Sequence, residues 1–155
     1  MKRAVIGLLF FVSAAAFAGA AGVLDGRPAV LDDFEDVGAW SAYAADGVEV
    51  GIRKDAALGR PGSALRIDFG FKKGSGYGVV RREFDPPVDL PENYAFSFEL
   101  RGEAPANHLE FKLIDESGEN VWWSVRRDFA FPVAWETVRV KKRQITFAWG
   151  PRGGG

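Results

Sequence analysis

The segment NHLEFKLIDESGENVWWSVRRDFAF, residues 107–131, carries the pattern that decides the fold. Leu109, Phe111 and Leu113 alternate with Glu110 and Lys112, which is the period of a half-buried β-strand. The turn that follows contains Asp, Ser and Gly, residues that bond their own backbone or tolerate positive φ. The segment therefore predicts a β-hairpin with strands at 108–114 and 120–127 and a turn at 115–119.

The second strand of this hairpin carries adjacent tryptophans, Trp122 and Trp123. Successive strand residues point to opposite faces, so one indole is expected to face the core and the other to face outward. The sequence leaves the register open. If Val121, Trp123 and Val125 form the apolar set, Trp122 is exposed. We adopt that register.

An outward indole among charged side chains is suited to a sugar, whose C–H face stacks on the ring while polar groups bond its hydroxyls. The candidate carbohydrate contacts are Trp122, Arg126, Lys112, Glu110 and the loop residue Tyr77. Tyr43 and Trp149 are secondary candidates, and Trp40 is expected in the core. Trp40 and Tyr43 are expected in a loop rich in Ala and Gly. The alternative is that a loop or a neighbouring module covers both rings of the hairpin.

The rest of the chain also reads as short strands separated by Gly, Pro, Asp and Asn turns. Alternating or apolar segments lie at 30–31, 48–53, 64–71, 77–84, 94–101, 135–140 and 145–149. No helical period follows the N-terminal segment. Eight or nine strands of this kind predict an all-β protein, an antiparallel β-sandwich of the jelly-roll type, over residues 29–149.

The first 20 residues have the pattern of a secretory signal peptide: a basic start, an apolar run over 4–17 and small residues suited to cleavage after Ala18 or Ala20. The run is shorter than the ~20 residues that a bilayer span needs. We expect a secreted or periplasmic protein with no membrane span after cleavage. An uncleaved N-terminal anchor is the alternative.

Charge and cysteine content bear on the partners of the protein and on the source of its stability. Without the first 20 residues the chain has 18 basic against 21 acidic residues, a net charge of −3, and it has no cysteine. Without a basic excess we expect no nucleic-acid partner. An exported chain without disulfides must draw the stability of its fold from its hydrophobic core or from a bound metal.

Four acidic residues near the start of the domain are candidate calcium ligands, because calcium takes several oxygen ligands. They are Asp32, Asp33, Glu35 and Asp36. The alternative is a solvated acidic turn.

The sequence gives little basis for catalysis. It contains no His-Glu-x-x-His, Gly-x-Ser-x-Gly or phosphate-loop motif, and its one histidine, His108, has no evident Ser or Asp partner. A glycanase would need paired carboxylates, for which the turn acids Asp115, Glu116 and Glu119 are the alternative to consider. We expect no enzymatic activity.

Five segments of the domain are considered together: LDDFED at 31–36 followed by Trp40, SALRIDF at 63–69, YAFSF at 94–98, LEFKLID at 109–115 and WETVRV at 135–140. In their order and spacing they resemble bacterial carbohydrate-binding modules with a galactose-binding-like jelly roll, the N-terminal modules of secreted proteins that continue into discoidin-like or glycoside hydrolase domains. The resemblance implies polysaccharide binding, a structural calcium ion and attached C-terminal domains. It also implies a final strand beside the first one, where this sequence has the Gly-rich tail or linker 150–155. We interpret the sheet as lacking that strand.

The sequence thus predicts a non-catalytic carbohydrate-binding module that brings attached domains to polysaccharide. The alternative is a structural or protein-interaction jelly roll that docks a neighbouring domain or an envelope partner. Trp and Arg also anchor protein interfaces, so composition alone does not separate the two.

Overall fold

The computed structural model describes residues 9–15, 28–56 and 61–152. The described part of the chain contains eleven strands and one 3₁₀ turn, Lys142–Gln144. The strands are β1 (Leu9–Ala15), β2 (Pro28–Asp32), β3 (Trp40–Ala44), β4 (Val48–Ala56), β5 (Ser63–Phe71), β6 (Gly78–Arg82), β7 (Ala95–Arg101), β8 (Asn107–Ile114), β9 (Val121–Phe129), β10 (Glu136–Lys141) and β11 (Thr146–Trp149). All their pairings are antiparallel, so the predicted all-β antiparallel fold is confirmed.

The largest sheet has six strands in the order β10-β7-β1-β5-β4, with β2 pairing β1 off this path. β4 and β5 form a hairpin in which all nine residues of each strand are paired, from Val48 opposite Phe71 to Ala56 opposite Ser63. β1 lies between β7 and β5. This strand falls within the segment predicted to be a signal peptide; residues 1–8 and 16–20 of that segment lie outside the described residues.

Two smaller sheets complete the fold. One has the order β11-β9-β8 and contains the β8–β9 hairpin with its two adjacent tryptophans. The other pairs β3 with β6, placing Trp40 opposite Arg82 and Tyr43 opposite Val79. The sequence predicts a loop around Trp40 and Tyr43 because Ala and Gly surround them. That interpretation is wrong, since this segment pairs with β6 as a strand, and Trp and Tyr are residues that strands favour.

The core joins the six-stranded sheet to the three-stranded one. Its buried side chains come from β5, β7, β8 and β10 and from two connecting segments: Leu65, Ile67, Phe98, Leu100, Leu109, Val138, Val140, Phe34 and Phe131. Val80 of β6 and Trp40 of β3 pack against this cluster. The expectation that Trp40 belongs to the core is therefore confirmed, and Val138 and Val140 of β10 face inward. The arrangement has β-sandwich character.

The connection after β2 places Phe34, which is fully buried, at φ 59°. Few non-glycine residues adopt this conformation. The Asp32 carboxylate accepts the Phe34 amide at 2.8 Å and the Trp40 Nε1–H at 2.7 Å, and it pairs with the Arg82 guanidinium. One buried carboxylate thus ties β2 to β3 and β6.

Candidate functional site

The register of the β8–β9 hairpin decides which tryptophan faces outward. Lys112 lies opposite Trp123, and Leu113 lies opposite Trp122. Residues directly opposite each other share a face of the sheet. Phe111 and Leu113 pack on the buried clusters, so Trp122 lies on the face that looks into the sandwich and Trp123 lies on the outer face.

The adopted register, which groups Trp122 with Lys112 and Glu110, is therefore wrong. A turn over 115–119 would pair Ile114 with Asn120 and Lys112 with Trp122. Instead Asn120 belongs to the turn and Ile114 pairs with Val121. A slip of one residue moves every side chain to the other face. The sequence signal is Asn120 itself, whose buried side chain donates to Asp115 Oδ2 at 2.7 Å and so closes a six-residue turn.

Four side chains form what we call the outer aromatic patch: Glu110, Lys112, Trp123 and Trp149. The two indole rings are 5.6 Å apart between centroids and nearly perpendicular, at 88°. The Lys112 ammonium lies 5.7 Å from the Trp123 ring centroid and 5.4 Å from that of Trp149. It also lies 2.7 Å from Glu110 Oε2. The patch therefore brings indole, ammonium and carboxylate groups together within one small area.

Burial distinguishes this patch from an ordinary solvated strand face. The Glu110 side chain is 3% exposed and that of Lys112 is 16% exposed. The contact between them is that of an ion pair, because Glu110 Oε2 makes no aligned hydrogen bond. A cation near an indole face is stabilised by about 0.5–2 kcal/mol, and more when it is desolvated. Lys112 is thus held by Glu110 and by two rings, which fixes the positions of the indoles.

The structure separates the remaining predicted carbohydrate contacts from this patch. Arg126 is opposite Leu109, and its guanidinium donates to the Arg139 carbonyl of β10 at 2.7 Å. Tyr77 is 39% exposed and lies immediately before β6, which belongs to a different sheet from β8 and β9. Trp149, a secondary candidate in the sequence, joins the patch because β11 pairs with β9 and places Trp149 opposite Val121.

The predicted calcium ligands each accept hydrogen bonds from the protein. Asp32 binds Phe34, Trp40 and Arg82, as described above. Asp33 accepts the Glu35 amide at 3.0 Å and Asp36 accepts the Gly38 amide at 2.8 Å. Glu35 pairs with Lys54 at 2.9 Å and accepts from Ser63, contacts that lower its pKa. Among the described residues no group of three acidic, His or Cys side chains has the arrangement of a metal site, and calcium binding stays a prediction.

The acidic turn of the hairpin is organised around Asp115. Its carboxylate accepts the Ser117 hydroxyl at 2.6 Å and the Asn120 amide group at 2.7 Å. These hydrogen bonds lower the pKa of Asp115. A catalytic carboxylic acid needs the opposite shift, because it must hold a proton near neutral pH. The arrangement stabilises the turn.

The chain matches no family model, no curated protein and no solved structure. Within residues 9–15, 28–56 and 61–152, no helix has the length and apolarity to cross a bilayer.

Proposed function

We propose that the protein is a non-catalytic carbohydrate-binding module and that the outer aromatic patch is its binding surface. The observation that carries the proposal is the convergence of Trp123, Trp149, Lys112 and Glu110 on the face of β8 and β9 that points away from the core. The proposal keeps the predicted substrate class and moves the central contact from Trp122 to Trp123.

The chemistry of the patch suits a saccharide. Two perpendicular indoles form a corner in which one ring can stack on the C–H face of a sugar while the other contacts its edge. Rigid aromatic side chains lose little conformational entropy on binding, and here the ion pair positions them in advance. Polysaccharide is the substrate class, because a strand face can accommodate an extended chain. Tethering such a module to another domain would raise that domain's effective concentration at the polymer.

The test is binding of the chain to a panel of insoluble and soluble polysaccharides, with Trp123→Ala and Trp149→Ala beside Trp122→Ala. We expect both outer-patch variants to weaken binding at least tenfold, or about 1.4 kcal/mol. Trp122→Ala is the matched control, since it removes the same side chain from the opposite face. Circular dichroism must show that all three variants are folded. Binding to no polysaccharide, or loss only with Trp122→Ala, would contradict the proposal.

A protein-interaction module is the second candidate, and the edge strand β11 favours it. Phe147 on this strand is 37% exposed, and its ring packs edge-to-face against Trp122 at 5.7 Å. An aromatic pair at a sheet edge is typical of surfaces that dock another protein. Phe147→Ser would leave glycan binding unchanged, and it would weaken association with a neighbouring domain or envelope partner if this second function operates.

Export is part of the proposal, with the N-terminal segment as the signal. The experiment is N-terminal sequencing of the protein recovered from the periplasm or medium of a bacterial host. We expect the chain to begin at Gly19 or Ala21. A chain that stays with the membrane fraction and keeps Met1 would favour the N-terminal anchor.

A further inference from the structure

The two-stranded sheet of β3 and β6 carries two tyrosines on one face. Tyr43 of β3 lies opposite Val79 of β6. The Tyr77 carbonyl accepts the Ala45 amide at 2.9 Å, which extends this pairing one residue beyond the start of β6. Tyr77 is two residues from Val79 along the strand, so it lies on the same face as Tyr43. Diagonal neighbours of this kind have Cα atoms about 7–8 Å apart, and the two side chains therefore belong to one surface.

This face points away from the core. Val80 packs on the core cluster, and Ala42 lies opposite it, so the alternate residues Tyr43 and Val79 point outward. Tyr43 is 53% exposed and Tyr77 is 39% exposed. Within the described ranges, neither ring packs on another aromatic ring and neither phenolic hydroxyl makes a hydrogen bond. Both ring planes and both hydroxyls can therefore contact a ligand.

The backbone beneath the two rings is held firmly. All five residues of β3 are paired with the five of β6. The loop before β6 lies directly against β4, because an added Cβ at Gly76 would be 2.5 Å from Val48 Cγ2. Gly78, which follows Tyr77, is buried. Aromatic side chains on a fixed backbone lose little conformational entropy when they bind a ligand.

Polar groups lie at the other end of the same face. Arg81 is opposite Ser41 and two residues beyond Val79, so it shares the outward face. Its guanidinium pairs with Glu83 at 2.8 Å, and the two side chains are 35% and 76% exposed. A guanidinium has five N–H donors and a carboxylate has several acceptor positions, so both groups keep hydrogen-bonding capacity beyond this contact. The face thus combines ring planes with hydrogen-bond donors and acceptors.

The size of the face indicates a small ligand. A sheet of two strands with five residues each covers roughly 17 Å by 10 Å. This is far below the about 800 Å² that each partner buries in a stable protein complex. The ligand must offer apolar surface to the tyrosine rings and hydroxyls to the charged groups. A saccharide has both, since its C–H face stacks on aromatic rings and its hydroxyls donate and accept hydrogen bonds.

We propose that the outward face of β3 and β6 is a second carbohydrate-binding site, which we call the tyrosine face: Tyr43, Tyr77, Arg81 and Glu83. A short glycan segment stacks on the two rings, and its hydroxyls bond the Arg81–Glu83 pair. The site takes its ligand class from the proposed function and shares no residue with the outer aromatic patch. Two sites in different sheets allow one module to hold two stretches of polysaccharide, which raises avidity.

The experiment uses the tyrosines themselves as reporters. The chain has three tyrosines, and the third, Tyr94, packs edge-to-face against Phe96 at 5.6 Å. The full chain is labelled with 3-fluorotyrosine, and its fluorine NMR signals are assigned by single Tyr→Phe substitutions. Oligosaccharides of cellulose, xylan, mannan and chitin are then titrated in. We expect the signals of Tyr43 and Tyr77 to shift together with one dissociation constant, while the Tyr94 signal stays in place.

Substitutions identify the contacts. Tyr43→Ala and Tyr77→Ala should each weaken the binding reported by the other tyrosine by about tenfold or more. Tyr43→Phe keeps the ring plane and should weaken it much less. Val133→Ala is the matched control, because it removes an apolar side chain that is 74% exposed and lies outside this face. Circular dichroism checks folding, and the more exposed Tyr43 decides the question if Tyr77→Ala does not fold.

A second sample, labelled with 5-fluorotryptophan, reports Trp123 in the same titrations. Shifts at both tyrosines without a shift at Trp123 would support the tyrosine face and contradict the outer aromatic patch. A shift at Trp123 alone would overturn the tyrosine face and leave the proposed function standing. Tyrosine signals that no saccharide moves would also overturn the proposal. Signals that move with protein concentration alone would assign this face to a second copy of the chain, which overturns it as well.

Discussion

The Asp32 carboxylate accepts the amide of Phe34 at 2.8 Å, two residues along the chain. This bond holds Phe34 at φ 59° while its ring is fully buried in the core. The same carboxylate receives the indole N–H of Trp40 and pairs with Arg82. The Asp32 side chain therefore stabilises the unusual backbone conformation of Phe34 and also connects β2 to β3 and β6.

Replacing Asp32 by alanine should destabilise the domain strongly. The change leaves the partly buried Arg82 guanidinium without its carboxylate, and losing one member of a buried ion pair costs roughly 3–5 kcal/mol. Trp40→Phe is the milder companion, because it keeps an aromatic ring and removes only the N–H donor, at about 1 kcal/mol. Urea unfolding measures both free energies. Equal effects of the two substitutions would contradict the central role of the Asp32 carboxylate.

The Lys112–Glu110 pair should behave as one unit. Lys112→Met and Glu110→Gln should each destabilise the domain by roughly 2–4 kcal/mol, since each leaves a desolvated partner. The double variant should cost less than the sum, with a coupling of about 1–3 kcal/mol. A double-mutant cycle by thermal or urea unfolding gives this value. We expect little dependence of the coupling on salt, because buried pairs are weakly screened. Additive effects would show that the two side chains act independently.

The β8–β9 hairpin shows which features the sequence pattern predicts and which it leaves open. Alternation of Leu109, Phe111 and Leu113 with charged residues predicts the strand and its buried face, because side-chain direction follows from a period of two. The partner of each residue depends on turn length, which no periodicity encodes. Assigning Asn120 to the strand instead of the turn shifts the predicted register by one residue. This shift exchanges the faces predicted for Trp122 and Trp123.

Pairing between residues far apart in the sequence explains the other differences between the predictions and the structure. Trp149 is 26 residues beyond Trp123 in the sequence, and only the pairing of β11 with β9 brings the two rings together. The strand at Trp40–Ala44 likewise depends on its pairing with β6, since the Ala and Gly residues around it are typical of a loop. The apolar segment Leu9–Ala15 fits a signal peptide by composition, and only its long-range pairing with β7 and β2 makes it a strand of the sheet.

Gly150 should tolerate no side chain. Its φ is +135°, and an added Cβ would lie 2.6 Å from Asn120 Oδ1 and from the Glu119 carbonyl oxygen. Gly150→Ala should therefore cost roughly 2–4 kcal/mol, as strain of 1–3 kcal/mol is compounded by the clash. It should also weaken the hydrogen bond from the Arg152 amide to Asn120 Oδ1. Thermal unfolding measures the loss.

The control for this substitution is Gly118→Ala in the hairpin turn. Gly118 also has positive φ, +76°, but an added Cβ there meets nothing within 4 Å. It should cost only about 1 kcal/mol, the price of the backbone conformation alone. If both variants lose the same stability, contact with Asn120 is not what excludes a side chain at Gly150.

Asp115 should make the hairpin turn sensitive to acid. Hydrogen bonds from Ser117 and Asn120 lower its pKa in the folded state below the ordinary value of 3.8. A depressed folded-state pKa stabilises the fold above the unfolded-state pKa, and that stabilisation is lost as pH falls through the folded-state value. The stability difference between the native chain and Asp115→Asn should therefore be constant near pH 7 and shrink below pH 3.8. Ser117→Ala, which removes the first of the two donors, should show the same pH dependence with a smaller amplitude. Urea unfolding across pH 2–7 provides the measurement, and a difference that grows on acidification would show that protonated Asp115 is the form the fold prefers.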